Sequence, residues 1–257
     1  MLDDTKQLFR TVDTGEAYQP IRLTFTIGEL QLLKQQLGAL QCLTLVSPGT
    51  WSWLWRAETA EIPFASVADF SANAAMPVQL GTLVITDELM YLNLTSFKRA
   101  CLAIPFFHQQ LTPDAAVLHH ADFINKVFGI DEPIIDELSN LFSEQELQIV
   151  LAEKLSAYQD MQEYCEQAKD VSEALAIIKQ FAELEASKPL AFVERYLFNF
   201  SAADDPSLIF LSFYVFIRSR ELAAIKRWLG ATNYSLADAV DETMQQIFGN
   251  VGVDLVD

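Results

Sequence analysis

Few residues in this chain are able to do chemistry. Its 257 residues include three histidines and three cysteines. A single stretch, His119-His120-Ala121-Asp122, brings imidazoles and a carboxylate close together. Thr112-Pro113-Asp114 just before it has a hydroxyl cap and a proline suited to a first helical position. Val117, Ala121, Ile124 and Phe128 then follow at helical spacing, and Gly129 closes the segment. On that helix His119 and Asp122 lie three apart and are neighbours. Such a pair supplies half of a metal site or an acid/base pair, with His108 close in sequence. Adjacent histidines on a helix cannot both face one site, however, so the expectation is a solvated helix face with no metal and no cofactor.

The other reactive groups point the same way. Cys42, Cys101 and Cys165 are odd in number, far apart and each within an apolar segment. They read as small buried hydrophobes. The chain contains no phosphate-cradling glycine loop, no G-x-S-x-G elbow and no H-E-x-x-H zinc helix. The reading therefore favours a non-enzymatic protein, with an acid/base site built from His108, His119 or Asp122 as the alternative.

Two patterns suit recognition rather than catalysis. Trp51, Trp53 and Trp55 alternate, so a strand projects all three indoles from one face, as core or as a partner platform. Arg218, Arg220, Lys226 and Arg227 gather in the second half of a long helix. There they complement the helix dipole, pair internally or anchor an acidic group. These seven residues are the expected partner-binding positions.

The balance of 17 basic against 35 acidic residues gives a net charge of −18. Such a surface repels phosphate backbones and anionic lipid, so direct nucleic-acid binding is not expected. It fits another protein as partner, or mimicry of nucleic acid. The N-terminal Met1-Leu2-Asp3-Asp4 is acidic, without an apolar secretory core, which leads to a cytoplasmic expectation. The longest apolar run, Leu208 to Ile217, is broken by Ser212 and falls well short of the ~20 residues of a membrane span.

The elements that must position these residues follow from period and punctuation. Ile21 to Ile27 alternates cleanly, with Ile21, Leu23, Phe25 and Ile27 on one face and Arg22, Thr24 and Thr26 on the other. A short helix carries Leu30, Leu33 and Leu37, and Leu40 to Val46 reads as a second strand ended by Pro48-Gly49. The tryptophan strand follows, and residues 61–78 read as an aperiodic connection. Leu80 to Phe107 then reads as a three-stranded meander whose last run, Lys98 to Ile104, ends at Pro105. Past Gly129 only helices are expected: Pro133 to Phe142, one capped at Ser143 running towards Lys169, and one capped at Asp170 with Ala176, Ile177, Phe181 and Leu184 inward. Residues 189–200 are expected as helix with a possible strand at Tyr196 to Phe200. Asp205-Pro206 opens the long helix stopped by Gly230, and Ser235 opens the last, ended by Gly249. The predicted fold is α+β, with a mixed domain over residues 1–130 built on a small antiparallel sheet and an all-α helical bundle over 131–257. The predicted function is protein interaction as an adaptor, assembly factor or inhibitor.

Overall fold

Strand β1 (Ile21–Ile27) forms as its alternation requires, with Ile21, Leu23 and Phe25 buried and Arg22 and Thr26 on the wetter face. The structure is a computed structural model that describes residues 7–11, 14–62, 77–133, 142–200 and 205–249. Most of the expected 61–78 connection and the expected helix from Pro133 to Phe142 lie outside the described residues. From β1 the chain passes through α1 (Leu30–Ala39), β2 (Leu43–Ser47), β3 (Thr50–Leu54), β4 (Gln79–Ile85), β5 (Leu89–Leu94), α2 (Phe97–Gln110) and β6 (Ala116–Ile124). It continues with α3 (Glu144–Glu166), α4 (Val171–Ser187), β7 (Val193–Leu197), α5 (Pro206–Trp228) and α6 (Leu236–Phe248). The fold is mixed α+β.

All seven strands form one antiparallel sheet in the order β2-β3-β4-β5-β1-β6-β7. The register makes its two faces chemically opposite. One row crosses every strand as Thr44, Ser52, Thr82, Asn93, Arg22, Asp122 and Arg195, polar throughout. The neighbouring row, on the other face, includes Leu43, Trp53, Gly81, Leu94, Ile21 and Phe123. Helices α1, α2 and α5 bury their apolar residues against this second face, with Leu33, Leu37, Phe97, Phe107, Phe213 and Ile217 in the same core. Gly81 lies between Trp53 and Leu94 in this row, and the Leu94 side chain leans over it. A Cβ there would lie 2.6 Å from Leu94 Cδ2 and 2.9 Å from the Asn93 carbonyl.

Three expected elements are corrected. Lys98 to Ile104 is not the third strand of a meander but part of α2. The Ser96 hydroxyl accepts from Arg99 N at 3.2 Å as its cap, and Phe97, Ala100, Ile104 and Phe107 are buried at helical spacing. Pro105 sits inside this helix instead of ending a strand, where it lacks the N–H that would serve the Cys101 carbonyl. Thr112 to Ala115 makes a turn, and the expected helix beyond it is strand β6. Residues 131–257 are not purely helical, because β7 pairs with β6 from His120↔Leu197 to Ile124↔Val193. Main-chain pairing thus crosses the expected boundary at residue 130.

Four of the predicted helix caps are in place, whereas the one at Thr112 opens no helix. Ser143 accepts from Glu146 N, Asp170 from Glu173 N, Asp205 from Ser207 N and Ser235 from Asp238 N. Gly230 ends α5 with a φ of 102°, a left-handed backbone that favours glycine. No helix among the described residues is long and apolar enough to cross a membrane.

Candidate functional site

Helix α5 was expected to present a basic patch, but each of its cations has a partner within the molecule. Arg218 pairs with Glu221 one turn on. Arg220 is buried and reaches Glu194 Oε2 at 3.1 Å, with its guanidinium 3.5 Å from the centre of the Phe216 ring. Lys226 lies 3.5 Å from Glu242, and Arg227 Nε donates to the Tyr234 carbonyl at 2.9 Å. Only part of the apolar run from Leu208 to Ile217 is core: Phe213 and Ile217 are buried, while Leu208 is 65 % exposed.

The tryptophan strip is likewise turned inward. Trp53 is fully buried against Phe106 and Phe107, with ring centroids 5.6 and 5.3 Å away. Trp51 and Trp55 are partly buried and pack on the same core. Trp53 has no surface to offer a partner.

Helices α3 and α4 are different. They form a hairpin beside β7, and among their described residues only Leu147 is buried. Ala174, Ile177 and Phe181 of α4 are half-covered, with Phe181 against Tyr158 of α3 at 5.3 Å. Val171, Leu175 and Ile178 follow an i, i+4, i+7 spacing, which makes one stripe on a helix. They are 76, 60 and 44 % exposed. Leu184, expected inward, is exposed. From Glu144 to Ser187 there are ten acidic residues and three lysines, so the hairpin that carries the stripe is acidic.

The stretch His119 to Asp122 also has a geometry that spacing alone misassigned. On β6 the register slips at His119, because Thr24 faces His120 while Phe25 faces Leu118. The extra residue is a β-bulge, which re-aims side chains that strict alternation would send to opposite faces. The His119 and His120 rings stand 5.0 Å apart, with Nδ1 to Nδ1 at 2.7 Å. His120 Nε2 lies 3.4 Å from Asp122 Oδ2. Asp122 is gripped by Arg195, at 2.6 Å from Nε and 3.0 Å from Nη2, and Arg195 is held in turn by both oxygens of Glu144 at 2.9 Å.

Burial raises the Asp122 carboxyl, but His120 and Arg195 outweigh it and hold it below its ordinary value. His119 is shifted down by desolvation and by the nearby His120 and Arg195. His108 does not join this cluster. It stacks on Phe200 at 5.7 Å beside an apolar cavity of about 410 Å³ that Phe25, Phe107 and Phe210 also line. Among the described residues no group of three or more potential ligands is placed to hold a metal ion.

No protein-family model matches the chain, and neither a curated protein nor a solved structure is significantly similar to it.

Proposed function

We propose that this is a non-enzymatic interaction protein that docks a basic, amphipathic helical segment of another protein along α4. The observation that carries the reading is the stripe of Val171, Leu175 and Ile178, exposed on a helix with no buried residue among those described. Apolar side chains at i, i+4 and i+7 are the anchors of helix-in-groove recognition. The acidic character of the hairpin selects the occupant. Lysines and arginines flanking an apolar face complement it, whereas a second copy of a chain with net charge −18 is repelled. The tryptophans and the α5 cations serve this function as core and as internal pairing.

The test uses a designed helical peptide with leucines along one face and lysines along the other, labelled for fluorescence anisotropy. Binding to the wild-type chain and about tenfold weaker binding to Leu175→Ala is the expected result. The truncation removes roughly three methylene equivalents at about 0.8 kcal/mol each, of which a little over half is available for burial, or ~1.4 kcal/mol. Leu175→Ala leaves every charge in place. Unchanged affinity in this variant would mean that the peptide binds by charge alone and that the stripe is not a docking face. Dimerisation of the wild-type chain through α4 in analytical ultracentrifugation would equally overturn the choice of occupant.

A further inference from the structure

We propose that the apolar cavity beside His108 is a binding site for a small, neutral aromatic molecule carrying one hydrogen-bonding group, such as a phenol. The cavity lies between the first residues of β6, the last turn of α2 and the start of α5. Its volume of about 410 Å³ falls within the range of roughly 300–1,000 Å³ usual for small-molecule sites, near the lower end. Aromatic rings in its walls meet in two pairs. Phe25 and Phe107 pack edge to face with centroids 6.2 Å apart at 67°, and Phe200 and Phe210 do so at the same distance and angle. A flat ring placed among them continues that packing, whereas a flexible chain loses rotamer freedom for no such gain.

The lining also fixes the charge of the ligand. Among the described residues that line the cavity, His108 alone has a polar side chain, and none has a carboxylate, an ammonium or a guanidinium. An ionised ligand would lose its water there with no counter-charge to replace it, so the occupant is neutral. His108 is the polar handle. Its ring is held from two sides, stacked on Phe200 at 5.7 Å and edge-on to Phe210 at 5.2 Å. The ring makes no hydrogen bond among the described residues, and its nitrogens donate or accept according to tautomer, so a ligand hydroxyl can pair with either.

The sheet explains why the cavity forms here. Strand β6 begins at Ala116, but β7 pairs with it only from His120, with one further bond from Phe198 N to the His119 carbonyl at 2.9 Å. From Ala116 to Leu118 the strand therefore has β1 on one side and no strand on the other among the described residues. Phe200, past the end of β7, lines the cavity across from this short edge. The Ala116 N–H is already taken by the Thr112 carbonyl at 3.1 Å, which leaves too little open main chain for an added strand and suits a compact molecule.

The experiment follows isoleucine, leucine and valine methyl resonances of the full chain by NMR during titration with 2-naphthol. Naphthalene, 2-naphthoate and decanoate are titrated in parallel. The site predicts saturable binding of 2-naphthol that shifts the methyls of Ile104, Leu111, Val117 and Leu118, with 2-naphthoate and decanoate each about tenfold weaker or more. The hydroxyl should make 2-naphthol bind roughly 3–10-fold tighter than naphthalene, the value of one hydrogen bond. His108→Phe keeps the ring stacking and should erase that difference, leaving naphthalene within about twofold of its wild-type affinity. Ala116→Leu, which grows a side chain into the cavity, should weaken both neutral ligands by about tenfold or more. His108 is exposed, so His108→Phe decides the matter even if Ala116→Leu does not fold. Shifts confined to other methyls, 2-naphthoate or decanoate binding as tightly as 2-naphthol, a hydroxyl preference that survives in His108→Phe, or no binding at all would each overturn the assignment.

Discussion

Glu194 is 2 % exposed and joins four parts of the fold, so its loss is the most informative perturbation of the framework. From β7 its Oε2 accepts from Arg220 of α5 at 3.2 and 3.1 Å and from Lys154 of α3, while its Oε1 accepts from Asn125 after β6 at 2.7 Å. Burial raises its carboxyl, yet Arg220 and Lys154 together outweigh burial and hold it below the ordinary glutamate value. The cations do less well. Desolvation pushes both Arg220 and Lys154 down despite the attraction of Glu194. One carboxylate therefore serves two cations, and removing it strands Arg220, whose side chain is only 10 % exposed.

Glu194→Gln keeps the shape and removes the charge. Stranding a buried partner costs about 3–5 kcal/mol; because a glutamine oxygen still accepts and Lys154 reaches solvent, we expect ~3 kcal/mol. In a chain of this size that corresponds to roughly 6–12 °C in Tm. Urea unfolding followed by circular dichroism gives the free energy directly. Because the Glu194 carboxyl is depressed, its contribution is present above the unfolded-state value near about 4.3 and is lost as pH falls through the folded value. The wild-type chain should therefore lose stability on the acid side more steeply than Glu194→Gln. The double variant Glu194→Leu/Arg220→Met should recover most of the loss, since an apolar replacement of a buried pair is often neutral. A loss below about 1 kcal/mol in Glu194→Gln, or a double variant as unstable as the single, would refute this reasoning.

Two further outcomes follow from packing and burial. Gly81→Ala should destabilise the fold by about 1–3 kcal/mol in the same urea assay, because its Cβ meets Leu94 and the Asn93 carbonyl below contact distance. The Cys42 thiol is fully buried and pushed up to about 12, first by burial and then by its hydrogen bond to Glu58. It should resist iodoacetamide in the folded chain at mildly alkaline pH and react once urea unfolds it, as mass spectrometry of the alkylated peptides would show.

How far the sequence foretold this fold depends on whether local pattern and tertiary setting agree. Strand β1 was legible because one face is buried and one is wet, so its alternation is unbroken. The caps at Ser143, Asp170, Asp205 and Ser235 were legible because a cap is a local hydrogen bond. Strand β6 was not. The bulge at His119 inserts one residue into a period of two, and the shifted parity set Val117, Ala121, Ile124 and Phe128 at intervals that imitate a helix.

That misreading concealed the contact between the two histidine rings, since adjacent side chains diverge on a helix and these two meet on this strand. Helix α2 was misread in the opposite sense. Its apolar run and Pro105 suggested a strand end, although Ser96 followed by Phe97, Ala100, Ile104 and Phe107 was a sufficient signal. The exposed stripe on α4 could not be told from a core face by period alone, because Leu175 and Ile177 are equally apolar and only packing decides which is covered.

The interaction account rests on α4, and hydrogen–deuterium exchange of the full chain with and without the leucine–lysine peptide tests it most directly. Docking along the stripe predicts slower exchange concentrated between Val171 and Ile178, absent in Leu175→Ala at the same peptide concentration. Protection that falls on α5, on the polar sheet face or nowhere, with α4 exchanging as in the free chain, would contradict it.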